Sequence, residues 1–282
     1  MADKKSNSKL VTTRPDFASL AGLVIAIGGI LGGLVLEGGK LSDITQVTAA
    51  MIVLGGTLGA VMVTSPIAWL ITGAKGLKDV FFEQSIDPAA AIEEIVKYAT
   101  KARKSSIISL EEDLATIGDP FLRKALSLAV DGTDLQELRK MMDLEIAQAE
   151  HHREGGAKVF ESAGGYAPTV GIIGAVLGLI QVMKHLENID EVGRGIAVAF
   201  VATVYGVAVS NLFFLPAANK LKARLKQEGQ ARELLLEGVC SIVEGMNPKL
   251  IRLKLEAFVE HKGKPAKNAA ASSVEAGAPA SA

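Results

Sequence analysis

The run "GGYAPTVGIIGAVLGLIQV", Gly164–Val182, decides how the chain folds. It is long and apolar enough to cross a bilayer, which takes roughly 20 mostly apolar residues. Yet it holds Pro168 near its start, glycines at Gly171, Gly174 and Gly178, and no Asp, Glu, Lys, Arg or His. Glycine and proline weaken helices in water. Between packed membrane helices they are tolerated, because small residues let backbones approach and neighbours satisfy the freed polar groups.

Three further runs share the pattern: Phe17–Leu36, Val47–Ile71 and Gly195–Pro216. None contains Asp, Glu, Lys, Arg or His. The 282-residue chain is 49% hydrophobic with only 5% aromatics and 29 glycines, and its mean hydropathy is +0.31. That aliphatic, glycine-rich balance suits packed membrane helices. The first run is too long for a signal-peptide core, and the "EGGKLSD" after it offers no small-residue cleavage site. The expected fold class is all-α: a polytopic membrane protein with four transmembrane helices and a helical domain between the second and third.

Flanking charges set the orientation. Lys4, Lys5, Lys9 and Arg14 precede the first run, Lys75 and Lys78 follow the second, and Lys220, Lys222, Arg224 and Lys226 follow the fourth. Both termini and the long middle segment are therefore expected on the cytoplasmic side. The expected divisions are a cytoplasmic tail at 1–16, helices one and two at 17–72, and a helical cytoplasmic domain at 73–161. Helices three and four at 162–218, C-terminal helices at 219–262 and a disordered tail at 263–282 complete the chain.

The middle segment carries helix signals. Asp87 is an expected N-cap with Pro88 at the first helical position, and Ala91, Ile92, Ile95 and Tyr98 recur at helical spacing. A second helix is expected from Ser105 or Ser106 to Gly118, a third from Pro120, and a longer one capped by Thr133. After the fourth run, "KLKARLKQEGQARELLLEGVCSIVEG" and "PKLIRLKLEAFV" read as amphipathic helices.

Several chemistries are excluded. The net charge of −1 gives no nucleic-acid footprint. The one cysteine, Cys240, cannot form an internal disulfide framework and reads as a buried thiol. The sequence has no Gly-x-x-x-x-Gly-Lys phosphate loop, nucleophile elbow or zinc spacing. His151 and His152 are adjacent, so they face different sides of a helix and make a poor metal pair. Neither enzymatic activity nor a cofactor is expected.

What remains is helix packing and a few hydroxyls. Gly28 and Gly32, Gly29 and Gly33, Gly174 and Gly178, and Ala202 and Gly206 have small-xxx-small spacing. Spacing alone fits packing within the chain and packing against another chain equally well. Thr203, Gly206 and Ser210 share one helix face, which reads either as hydroxyls bonded back to their own helix or as a wet groove. Proton and ion relays use titratable or charged groups within the membrane, and these runs supply no Asp, Glu, Lys, Arg or His. A chain of this kind conducts ions only with a partner that brings the carboxylate.

"YAPTVGIIGAVLGLI" and "AVAFVATVYGVAVSNLFFLPAANKL" resemble the third and fourth membrane helices of the MotA/PomA family, the larger subunits of the bacterial flagellar stator, related to ExbB and TolQ. "GGTLGA", Gly55–Ala60, resembles that family's second helix, and the likeness runs in order from about Phe17 to Val259. The resemblance implies an inner-membrane homopentamer around two copies of a MotB-like single-span subunit, whose intramembrane Asp carries the ion. It implies an ion pathway beside Pro168, Ala175, Thr203, Tyr205 and Pro216, with Gly171, Gly174, Gly178 and Gly206 as packing positions. It implies that Arg103, Lys104, Glu111 and Glu112 contact the rotor switch protein (FliG-like). Without it, each proline reads as readily as a plain helix boundary, and each charge as a solvated one.

Two departures from the family pattern matter. Ala175 stands where sodium-driven relatives resemble a threonine-bearing pattern. Retaining Thr203 while lacking a hydroxyl at 175 favours H+ as the transported ion, since sodium needs several oxygen ligands. Thr169-Val170 replaces the commoner Ala-Phe after the proline. The alternative reading is an ExbB/TolQ-like transducer of proton-motive force serving an outer-membrane process. That group has three spans, whereas four charge-free runs and a long segment between the second and third favour the stator.

Overall fold

The computed structural model describes residues 11–263. Most of the tail expected at 1–16, and all but the first residue of that expected at 263–282, lies outside the described residues. The described residues fall into two compact units: one holds Val11–Ser85 and Leu144–Gln230, the other Ile86–Asp143 and the chain from Ala231.

In the first unit, strand β1 (Val11–Pro15) pairs with β2 (Phe82–Ile86) in a two-stranded sheet that the sequence reading did not foresee. Helix α1 (Phe17–Leu36) follows, its first turn capped by the Asp16 carboxylate, which accepts from the Ser19 amide at 3.1 Å. No residue of α1 is buried. An apolar helix with no buried face needs lipid or another chain around it.

The second apolar segment is built from α2 (Val47–Ala50), a π turn (Met51–Gly55) and α3 (Gly56–Thr64). It ends sooner than the sequence reading placed it. Ser65 is extended (φ −116°, ψ 135°) ahead of Pro66, and a separate helix, α4, spans Ile67–Phe81. The cause is local: a proline ring pushes the residue before it out of the helical region.

In the second unit, α5 (Pro88–Ser105) starts where the sequence indicates, with Asp87 accepting from the Ala89 amide at 3.0 Å. Ala91, Ile92, Ile95 and Tyr98 are all buried. Ser106 takes a positive φ of 73° and caps no amide with its side chain. A 3₁₀ turn (Ile107–Leu110) and the short α6 (Glu111–Leu114) follow, then α7 (Pro120–Val130). The core collects Ile95, Leu110, Leu122, Leu126, Leu138 and Met142 with Leu235, Val239, Ile251 and Leu255.

Helix α8 (Leu135–Lys184) is unbroken over 50 residues. Its N-terminal amides are met by Asp134, which accepts from Gln136 N at 2.9 Å, rather than by the expected Thr133. It contributes residues to both units, as does α10 (Leu215–Val243). Helix α9 (Ile189–Val209) leads through a π turn (Ser210–Phe214) into α10, and α11 (Pro248–Gly263) closes the described chain. Among the described residues, four helical stretches are long and apolar enough to cross a membrane: α1, Val47–Thr64, and parts of α8 and of Ile189–Val243.

Candidate functional site

The third and fourth apolar stretches meet backbone to backbone. A β-carbon on Gly171 would lie 2.9 Å from the Ala202 carbonyl oxygen and 3.2 Å from Gly206 Cα. One on Gly178 would lie 2.7 Å from the Gly195 carbonyl oxygen, and one on Gly206 would lie 2.5 Å from the Ala167 carbonyl oxygen and 3.2 Å from Pro168 Cα. Gly174 faces Ala202 and Ile52, so the second segment joins the same seam. These glycines pack within the chain. By contrast, Gly28, Gly29, Gly32 and Gly33 on α1 have nothing within 4 Å of a β-carbon. The spacing that looked alike in sequence therefore serves two situations.

Pro168, Gly171, Thr203 and Gly206 converge in this seam. Ala175, one turn beyond Gly171 on the same α8 face, is half-buried. Pro168 lies inside the helix rather than at a boundary. The Thr203 hydroxyl donates back to the Ala199 carbonyl oxygen at 3.2 Å, the ordinary arrangement for a membrane threonine. Tyr205 turns elsewhere: its hydroxyl donates to the Ile44 carbonyl oxygen and accepts from the Gln46 amide at 3.3 Å, pinning the chain that enters α2.

Pro216 is not part of the seam. It lies at the second residue of α10, just past the π turn, and lines a groove of about 310 Å³ with Ala18, Gly22, Leu23, Phe81, Asn211 and Lys220. At the π turn, the Ser210 hydroxyl donates to the Gly164 carbonyl oxygen at 2.6 Å, and the Asn211 amide donates to the Val207 carbonyl oxygen at 2.9 Å. Single π turns inside α-helices concentrate at functional places.

Beside the groove sits an ion cluster that sequence reasoning missed. Asp16 is 8% exposed and accepts from Lys220 and from Arg224, the latter at 2.7 Å. The Lys220 hydrogen bond, opposed by burial and aided by the Ser19 amide and both cations, pulls the Asp16 carboxyl down to about 2. Its signals were present in sequence: an Asp directly before an apolar run, with Ser three residues on. Thr57 was missed too. Its side chain is wholly buried, and its hydroxyl has no hydrogen-bond partner among the described residues.

Arg103 and Lys104 end α5, and Glu111 and Glu112 open α6, all four exposed. Both pairs sit where their charge complements a helix end. Beneath them, Lys101 bonds Asp113 at 2.8 Å and lies 3.8 Å from Glu112. The Asp113 hydrogen bond, opposed by burial, raises the Lys101 pKa.

Residues 113–234 match the model of the "MotA/TolQ/ExbB proton channel family", and residues 20–105 match "Motility protein A N-terminal". Motility protein A of Bacillus subtilis is 37% identical over 251 residues, which cover 88% of this chain and 92% of that one. The chain belongs to the MotA/TolQ/ExbB proton channel family. Another relative, the chemotaxis protein PomA of Vibrio alginolyticus, is 32% identical across 89% of this chain and 98% of its own. Among solved structures, the C. jejuni MotAB structure matches with a TM-score of 0.83 and 30% identity over 89% of this chain and 98% of that one. The flagellar MotAB stator complex from Bacillus subtilis matches at 0.81 and 35%, over 88% and 97%. These motility relatives thus align with 88–89% of the chain.

Proposed function

We propose that this chain is the ion-conducting, torque-transmitting subunit of a bacterial flagellar motor stator. It works with a MotB-like single-span partner in the inner membrane, both its termini in the cytoplasm, five copies around two of the partner. The observation that carries the reading is the charge-free seam of α8 and α9 in a chain of this family. Small residues, one back-bonded hydroxyl and no ionisable side chain line it. Such a surface neither binds an ion tightly nor repels one, so the titrating carboxylate comes from the partner.

The driving energy is adequate. A charge crossing 100 mV releases about 2.3 kcal/mol. Protonation of the partner's aspartate relieves an unpaired charge in a low-dielectric site, and release restores it. The half-buried edge of the seam, where Ala175 and Thr203 lie, then meets alternately a neutral and a charged partner helix, and the two prolines are where α8 and the α9–α10 helix can bend in response. Arg103, Lys104, Glu111 and Glu112 carry the resulting motion to the rotor switch protein. Exposed charges of this kind contribute steering and register more than affinity.

The transported ion is H+, because residue 175 offers no side-chain oxygen and sodium needs several oxygen ligands. The test is co-expression with the partner and ion uptake by proteoliposomes at fixed potential. Uptake should persist without sodium and vanish when the partner's intramembrane Asp becomes Asn. Uptake that follows sodium, or survives the Asn change, contradicts the reading. The ExbB/TolQ-like alternative is disfavoured by the match of residues 20–105 to the motility N-terminal model.

A further inference from the structure

Pro168 has no amide hydrogen, so the carbonyl of Gly164, four residues earlier in α8, loses the partner an unbroken helix would give it. Gly164 is buried. An unpaired carbonyl there would cost the full loss of its hydrogen bond. The vacancy is filled from the other helix: the Ser210 hydroxyl donates to that same carbonyl oxygen at 2.6 Å, and Ser210 is 1% exposed.

Ser210 is also the first residue of the π turn that precedes Pro216. Glycine at 164 permits the approach, since a β-carbon there would lie 2.5 Å from Leu215 Cδ2. One side chain therefore touches both irregularities: the missing bond at the proline of the third stretch and the widened turn at the proline of the fourth.

We propose that Ser210 is the positioning residue that joins the Pro168 bend to the π turn and Pro216, so that the two helices change conformation together. A carbonyl freed by proline can tilt with the bend. Held by Ser210, it draws the π turn with it. Without the hydroxyl, the two bends are independent. The coupling role rests on the stator reading; the bond itself does not.

The test uses the full two-protein complex and two readouts. In thermal unfolding, Ser210→Ala should lower Tm in the wild-type background and leave it unchanged in a Pro168→Ala background, where the restored amide serves Gly164. An equal loss in both backgrounds overturns the link. In cells with no other stator, Ser210→Ala should lose most of the stall torque while proteoliposome ion uptake is unchanged, and Ser210→Thr should keep both. Unchanged torque in Ser210→Ala, or torque and uptake falling together, overturns the coupling role. Absence of ion uptake by the wild-type complex would instead sink the stator reading, and the Tm comparison would still test the link.

Discussion

Gly206 and Ala167 touch so closely that a β-carbon on Gly206 would sit 2.5 Å from the Ala167 carbonyl oxygen. The obstacle is backbone, which cannot swing aside like a flexible side chain. Gly206→Ala must therefore push α9 off α8, at a cost of about 1–3 kcal/mol for overpacking. Gly76→Ala is the control. Its β-carbon would make ordinary contact with Leu221 at 3.5 Å, and it gains about 1 kcal/mol of helix propensity. Thermal unfolding of the purified complex should move in opposite directions for the two variants.

Asp16 ties the start of α1 to α10 through Lys220 and Arg224. Its carboxyl is depressed to about 2 from 3.8, so its stabilisation is fully present above about pH 4 and is lost as pH falls through 2. Between pH 5 and 8 it contributes no pH dependence. Asp16→Asn should cost about 3 kcal/mol, because it strands Arg224, whose side chain is only 11% exposed. Guanidinium denaturation at neutral pH measures this.

Thr57 should behave in the opposite way. Thr64 and Thr203 bond back to carbonyls one turn earlier, at 3.0 and 3.2 Å, while the buried Thr57 hydroxyl bonds nothing. An unmade buried hydrogen bond costs about 1–3 kcal/mol, and valine has nearly the same shape. Thr57→Val is expected to raise Tm and leave motility intact. A lower Tm would mean that the hydroxyl holds a bound water.

Pro168→Ala and Pro216→Leu should abolish torque and leave membrane insertion intact. Each restores a backbone amide where the helix now lacks one, and so straightens a point at which it can bend. Bead-assay torque together with membrane fractionation checks both halves. Normal torque in both variants removes the bending role.

Much of this architecture was legible because lipid imposes a simple demand. Long runs without ionisable residues, Asp87-Pro88 and the buried positions of α5 all read directly from residue type and spacing. Three prolines had outcomes that residue type alone does not decide. Pro66 ends a helix because its ring pushes Ser65 into an extended conformation. Pro168 interrupts nothing, because Ser210, 42 residues on, supplies the missing donor. Pro216 follows a widened turn instead of a break. Sequence spacing placed Gly178 and Gly206 on packing faces, but only the fold distinguishes them from Gly28 and Gly32, whose fronts are open. Asp16 was legible as a helix cap but not as an ion cluster, because Lys220 and Arg224 lie more than 200 residues away.

The most direct measurement is the torque of single flagellar motors in cells lacking this gene and every other stator gene, while an inducible copy is restored. Rotation is expected to be absent at first and to return in equal torque steps as subunits join the motor. The step height should scale with proton-motive force at any sodium concentration. Motors that turn at full torque without the gene, or steps that scale with sodium instead, would contradict the claim that this chain couples proton flow to rotation.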